Sequence, residues 1–175
     1  MLIGTTGSGK TELSNLILRH FSEMRRIISC TTREPRPGEV PGREYRFLSP
    51  DVFLDGVHQG HFVEYDQPYG TYLYGRQHRD FALLGHHHCI ADMTERGVAA
   101  LQERNRYRAV YIRLAPINKT VTARDATRAM GDAKRLEIPI RVDHVIHNDH
   151  GDITGLEKAF IELRAIVEGH IHSND

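Results

Sequence analysis

A glycine-rich segment near the start of the chain constrains the fold more than any other feature. Residues 4–11 read GTTGSGKT and satisfy the pattern G-x-x-x-x-G-K-[ST]. The apolar run Met1-Leu2-Ile3 precedes the segment, and apolar residues at helical spacing follow it over 11–21. A strand, a glycine-rich turn and a helix in this order predict a P-loop, whose backbone N–H groups and helix N-terminus hold phosphate oxygens.

The predicted triphosphate-binding residues are Gly4, Thr5, Thr6, Gly7, Ser8, Gly9, Lys10 and Thr11. Lys10 is placed to reach β- and γ-phosphates, and Thr11 to ligate Mg²⁺. The alternative, a glycine-rich turn that only caps a helix, is disfavoured by the strand and helix on either side.

Short apolar runs and helical segments alternate through the rest of the chain. Runs at 89–92 and 109–114 flank a helical segment near 97–106, which is the spacing of a β-α-β unit with parallel strands. The remaining predicted elements are short helices at 50–56 and towards Leu84, helices at 117–136 and 153–167, and a strand at 142–146. The sequence therefore predicts an α/β chain with the three-layer P-loop NTPase fold and a parallel core sheet.

Composition narrows the class of protein. The chain has 175 residues, which is about one domain, and 23 Lys+Arg balance 23 Asp+Glu. Zero net charge argues against nucleic acid or a membrane surface as the partner, so any anion site must be local. Two cysteines, together with the lack of a signal-peptide pattern or a long apolar run, predict a cytoplasmic protein.

A P-loop also needs a carboxylate near the metal, usually at the end of a neighbouring strand. Asp92 ends the apolar run Cys89-Ile90-Ala91 and is the predicted second Mg²⁺ ligand beside Thr11. Asp92 also precedes a helical segment, so a helix N-cap is an alternative and compatible role.

An arginine-bearing segment follows the first helix. Residues 29–47 read SCTTREPRPGEVPGREYRF, where prolines and glycines forbid a long helix. Arg33 and Arg36 offer planar charged forks to a phosphate dianion, and Tyr45 offers a hydroxyl donor. The segment closely resembles the nucleoside-monophosphate-binding segment of guanylate kinases, and the resemblance extends over essentially the whole chain.

The resemblance implies residue roles. Arg33, Arg36, Tyr45 and Tyr74 would hold the acceptor phosphate, and Glu64 in Phe62-Val63-Glu64-Tyr65 would accept hydrogen bonds from guanine N1 and N2. Ser29 matches another base-contacting position. Two positions depart from the family pattern: Arg76 stands where a hydroxyl residue is usual, and Thr94 stands where an aspartate helps to read guanine.

The second half resembles the family less densely. Arg124, Arg128 and Arg135 match the arginines of a lid that closes over the triphosphate, where they would stabilise the transition state. A charged, solvated helix explains Arg124 and Arg128 about equally well from this segment alone. Asn148 matches a residue near the adenine of ATP.

The predicted function is a guanylate-kinase-like nucleoside monophosphate kinase that uses Mg²⁺ and ATP to phosphorylate GMP or dGMP, as a monomer or weak homodimer. The predicted single domain divides into a core (1–28, 81–116 and 137–175), a monophosphate-binding region (29–80) and a short lid (117–136). One alternative is a related kinase with another acceptor, either a different nucleoside monophosphate or ribose 1,5-bisphosphate. Another is a non-catalytic module that binds phosphopeptides, which the intact P-loop disfavours.

Overall fold

Strands and helices alternate along the chain. The computed structural model describes residues 1–5, 7–68, 70–104, 109–116, 136–148 and 153–172. The strands are β1 (Leu2–Gly4), β2 (Arg25–Arg26), β3 (Ser29–Thr31), β4 (Tyr45–Phe47), β5 (Phe62–Asp66), β6 (Tyr74–Gln77), β7 (Cys89–Ile90), β8 (Asp92–Met93), β9 (Ile112–Pro116) and β10 (His144–Asn148). The helices are α1 (Lys10–His20), α2 (Pro50–His58), α3 (Glu95–Arg104) and α4 (Ile153–His172), with a 3₁₀ helix at His78–Gly85.

The central sheet has the order β10-β9-β1-β8, and all its strands are parallel. Successive side chains of a strand point to opposite faces, so β1 contributes to two cores. Leu2 packs in one core with Leu13 of α1 and Leu163 of α4, whereas Ile3 packs in the other with Val98 of α3. Helices on both faces of a parallel sheet make three layers, which confirms the predicted α/β architecture.

A second sheet of order β4-β3-β6-β5 is built from the segment between α1 and the 3₁₀ helix. Strands β3 and β4 are parallel, while β6 runs antiparallel to both β3 and β5. Strand β5 packs against α3 and thereby joins this sheet to the core.

The predicted strand at 89–92 is interrupted at Ala91 and changes partners there. Strand β7 pairs with β2, and β8 pairs with β1. The Ala91 carbonyl accepts a hydrogen bond from the Leu2 N–H at 2.8 Å, which starts the pairing with β1. Asp92 therefore begins β8, rather than ending the preceding run as predicted.

Several element boundaries differ from the sequence prediction. Helices α2 and α4 extend beyond 56 and 167 to His58 and His172, and β9 begins at Ile112 rather than at 109. The helix predicted towards Leu84 is a 3₁₀ helix, closed by a capping box in which the Asp80 carboxylate accepts the Gln77 N–H at 2.8 Å. The predicted helix at 117–136 lies outside the described residues except for its last position.

No helix among the described residues combines the length and hydropathy that a bilayer crossing requires.

Candidate functional site

The glycine-rich loop joins β1 to α1 at the carboxyl end of the parallel sheet. Gly9 adopts a left-handed conformation (φ 87°) immediately before α1, which favours glycine. A Cβ on Gly4 would lie 2.6 Å from the Leu114 carbonyl oxygen and 2.7 Å from Ser8 Oγ, so only glycine fits against β9 there. The described part of the loop thus has the strand–turn–helix form that a phosphate-binding loop needs.

Two side chains hold this loop from inside. The Lys10 ammonium donates to the carbonyls of Gly4 and Thr5 at 2.6 and 2.8 Å and lies 3.3 Å from Ser8 Oγ. Asn148, at the end of β10, is fully buried, and its amide donates to the Ser8 carbonyl at 3.1 Å. Asn148 therefore contacts the loop, and its predicted adenine contact stays a prediction.

Asp92 begins β8 opposite Leu2 of β1 and lies beside α1. Its carboxylate accepts a hydrogen bond from the Ser14 hydroxyl and lies 3.5 Å from a guanidinium nitrogen of Arg26. Asp92 and Thr11 line the same cleft. A carboxylate and a hydroxyl are the hard oxygen donors that Mg²⁺ takes when substrate phosphates supply most of its other ligands, so these residues fit the metal.

Arg33 is held in place by a carboxylate and two aromatic rings. Its Nη2 lies 2.8 and 2.9 Å from the two carboxylate oxygens of Glu39, and its guanidinium carbon lies 5.4 and 5.7 Å from the ring centroids of Tyr45 and Phe47. Glu39 also accepts the Arg36 N–H at 2.7 Å, which fixes the turn between the two arginines. A guanidinium held in this way loses little side-chain freedom when an anion binds. Glu39 had no predicted role, and the sequence signal that points to it is its position six residues after Arg33, across the Pro37-Gly38 turn.

Tyr45 begins β4 and Tyr74 begins β6, the two strands on either side of β3 in the second sheet. Their ring centroids are 6.0 Å apart in an edge-to-face arrangement. Burial, with nearby Asp92, raises the pKa of the Tyr45 phenol, so this hydroxyl stays protonated and available as a donor. Arg36 is exposed beside them.

Part of the predicted phosphate-binding set lines one cleft of about 950 Å³, and among the described P-loop residues Thr11 lines it whereas Lys10 does not. Its lining includes, from the prediction, Thr11, Arg33, Arg36, Tyr45, Tyr74 and Asp92. The charged lining residues without a predicted role are Arg19, Arg25, Arg26, Arg43, Glu39 and Glu44. Arginines outnumber carboxylates here, so a chain of zero net charge still offers a local site for anions.

Glu64, which is predicted to read the base, is buried and paired. Arg76 lies directly opposite Glu64 in the β5–β6 register, and its Nη1 donates to Glu64 Oε1 at 2.7 Å. The Nη2 group of Arg76 donates to the Asp92 carbonyl. Burial raises the Glu64 pKa, whereas the charge and hydrogen bond of Arg76 lower it and Asp66 raises it further.

The other two predicted base-contacting residues lie at element ends. Ser29 begins β3 and is half-buried. Thr94 immediately precedes α3, and its hydroxyl accepts the Gly97 N–H at 3.2 Å, which is the geometry of a helix N-cap. The capping role weighed for Asp92 therefore belongs to Thr94.

Comparison with known proteins adds to this geometry. The guanylate kinase family profile matches residues 1–150. A guanylate kinase of Chlamydia muridarum is 32% identical over 180 residues, covering 95% of this chain and 84% of the relative, and one of Syntrophus aciditrophicus is 30% identical over 181 residues, covering 96% and 84%. The chain belongs to the guanylate kinase family.

Structural similarity supports the fold of the guanylate kinase family. A crystal structure of guanylate kinase from Anaplasma phagocytophilum superposes with a TM-score of 0.74 at 20% identity, covering 97% of this chain and 84% of that one. Membership makes the chain an ATP-dependent nucleoside monophosphate kinase. These relatives do not favour a kinase that takes another acceptor in place of GMP, nor a phosphopeptide-binding module.

Four predicted site residues lie outside the described residues. These are Thr6 of the P-loop and the lid arginines Arg124, Arg128 and Arg135. Their roles stay predictions.

Proposed function

We propose that this cleft transfers the γ-phosphate of ATP to GMP or dGMP. The observation that carries the proposal is that one cleft is lined both by the end of the P-loop, at Thr11 with Asp92, and by Arg33 and Tyr45. A donor and an acceptor phosphate held on these two walls would meet without moving far.

The donor side rests on the P-loop. Its backbone N–H groups and the N-terminus of α1 would hold the β- and γ-phosphates, and Lys10 would leave the loop carbonyls to reach the same oxygens. Thr11 and Asp92 would hold Mg²⁺, which would offset the negative charge of the phosphates. Ser14 and Arg26 orient the Asp92 carboxylate for that task.

The acceptor side rests on Arg33 and Arg36 with the phenols of Tyr45 and Tyr74. Once the negative charge of the two phosphate groups is offset, an oxygen of the acceptor phosphate attacks the γ-phosphorus in line. The bond to the β–γ bridging oxygen breaks, and ADP leaves with that electron pair. Positioning and charge stabilisation are sufficient, so no covalent enzyme intermediate and no dedicated base are needed.

Glu64, Ser29 and Thr94 would read the base, and Arg124, Arg128 and Arg135 would close over the triphosphate. A carboxylate opposite guanine N1–H is paired, whereas the unprotonated N1 of adenine would leave it facing another acceptor. This chemistry supports GMP over AMP.

A coupled ADP-release assay tests the reaction. We expect ATP- and Mg²⁺-dependent turnover with GMP and dGMP, and kcat/KM at least about a hundredfold lower with AMP, because a site built to pair a substrate N–H rejects a base that lacks it. Equal kcat/KM for GMP and AMP would contradict the role of Glu64. Absence of turnover with every nucleoside monophosphate would contradict the proposed reaction.

The division of the chain is part of the same proposal. The core would comprise 1–28, 81–116 and 137–175, the monophosphate-binding region 29–80 and the lid 117–136. The separate sheet formed by β3 to β6 supports the second unit. A cytoplasmic location, supported by the two cysteines and the lack of a long apolar run, and a monomeric or weakly dimeric state complete the proposal.

A further inference from the structure

The ion pair between Arg76 and Glu64 changes what the base-reading carboxylate can do. The two side chains are cross-strand neighbours and are almost fully buried, with 6% and 3% of their surfaces exposed. At 2.7 Å, the contact is a charge-assisted hydrogen bond in a site with little water to compete for either group.

Arg76 is also fixed from its other side. Its Nη2 group donates to the Asp92 carbonyl, so one guanidinium bridges β5 and β8. Its buried Nε makes no hydrogen bond within the described residues. The guanidinium is therefore anchored at two points and still carries an unused donor.

The remaining oxygen of Glu64 is confined as well. A Cβ on Gly97 would lie 2.7 Å from Glu64 Oε2, so this oxygen sits directly against the first turn of α3. Guanine presents two neighbouring donors, N1–H and the 2-amino group, which suit a carboxylate with both oxygens available. In this chain Oε1 is already occupied by Arg76.

No second carboxylate compensates at the position after β8. Thr94 stands there, and its hydroxyl oxygen caps α3. Compared with a pocket that has a hydroxyl at position 76 and a carboxylate at position 94, this one has lost acceptors and gained a donor. Such a site suits a base edge that has an oxygen acceptor and a single N–H donor better than it suits an edge with two adjacent donors.

We infer that Arg76 is a specificity-determining residue that makes the 2-amino group of guanine dispensable, so that the acceptor class is the 6-oxopurine nucleoside monophosphates, IMP and dIMP together with GMP and dGMP. The inference rests on the proposed function and deepens it. Hypoxanthine keeps O6 and N1–H and lacks only the 2-amino group. AMP stays excluded, because its N1 is an acceptor and would face the free oxygen of Glu64.

The test compares kcat/KM for GMP and IMP in the wild-type chain and in three variants. One additional charge-assisted hydrogen bond to the 2-amino group would raise the GMP:IMP ratio by about tenfold or more. In the wild type, where Arg76 takes the place of that bond, we expect the ratio to stay below about tenfold. In Arg76→Thr, which frees Oε1 for the 2-amino group, the ratio should rise by about tenfold or more.

Two control variants separate this effect from a structural one. Arg76→Lys keeps a donor and a charge beside Oε1 and should leave the ratio near the wild-type value. Arg46 lies on β4 of the same sheet and pairs with Asp80 of the 3₁₀ helix, so Arg46→Thr breaks that ion pair and should alter stability without altering the ratio.

A wild-type ratio above tenfold, or the same ratio in Arg76→Thr and Arg46→Thr, would overturn the inference while leaving the proposed kinase intact. If Arg76→Thr does not fold, the wild-type ratio still decides the question. Loss of turnover with GMP and IMP alike in the folded wild-type chain would instead reject the proposed function.

Discussion

The proposed phosphate-binding region at the cleft and the proposed base-reading region around the Glu64–Arg76 pair, which is not part of the cleft lining, use charged side chains in opposite ways. At the phosphate-binding region, Arg33 is clamped by Glu39 and two rings, yet it lines the cleft beside Arg36. At the base-reading region, Arg76 is spent on Glu64 and on the Asp92 carbonyl. In the proposed site, Arg33 thus offers its charge to a ligand, whereas Arg76 occupies a hydrogen-bond acceptor of Glu64 that a base would otherwise use.

The difference shows why phosphate binding tolerates variation in the exact arrangement of the site, whereas base selectivity can change with one substitution. Any phosphate is an anion with equivalent oxygens, so charged forks and main-chain N–H groups suffice to hold it. A base is recognised by the order of its donors and acceptors, so one substitution changes the pattern that fits. We therefore expect phosphate-side substitutions to affect all acceptors equally, and base-side substitutions to change their ranking.

The largest effect should follow from removing the P-loop lysine. We expect Lys10→Ala to lower kcat by at least about a hundredfold with every acceptor, because it removes a fixed positive charge from the transferring phosphoryl group. Steady-state kinetics with GMP and IMP, together with circular dichroism to verify folding, measure this. An unchanged kcat, or a loss confined to one acceptor, would contradict a purely donor-side role.

Arg33 provides the next test. We expect Arg33→Ala to lower kcat/KM for GMP by about a hundredfold or more, since the two charge-assisted hydrogen bonds proposed between Arg33 and the acceptor phosphate would be lost. Arg33→Lys, a point charge without the planar fork, should fall between this variant and the wild type.

Arg141→Ala is the matched control for Arg33, because Arg141 forms an exposed ion pair with Asp143 at 3.2 Å, outside the phosphate-binding cleft. It should leave kcat/KM unchanged. If Arg33→Ala behaved like Arg141→Ala, the acceptor-phosphate role of Arg33 would be wrong. The GMP:IMP ratio should stay constant across all three variants.

Much of the fold and of the phosphate site was predictable because the relevant physics is local. Residues 4–11 carry their own turn geometry and lie between a strand and a helix, so the element order around β1 and α1 follows from spacing. The interruption at Ala91 was not predictable, because it reflects a change of pairing partner from β2 to β1 over a long sequence separation.

The Arg76–Glu64 pair could not be derived from either residue by itself. Its existence depends on the β5–β6 register, which places residues 12 apart directly opposite each other. The clamp of Arg33 by Glu39 likewise needs the turn between them to close. In both cases the sequence supplied the charges, and long-range or turn geometry decided which charges met.

The smallest expected effect lies at Thr94 and sharpens the contrast between the two regions. We expect Thr94→Asp to raise the GMP:IMP ratio of kcat/KM by up to about tenfold, because one carboxylate oxygen can cap α3 while the other accepts from the 2-amino group. Thr94→Asn caps equally well without the charge and should raise the ratio less. Kinetics with both acceptors and thermal melting compare the two variants at matched stability. If Asp and Asn gave the same ratio, the charge at this position would have no part in reading the base, and discrimination would depend on Arg76 and Glu64 alone.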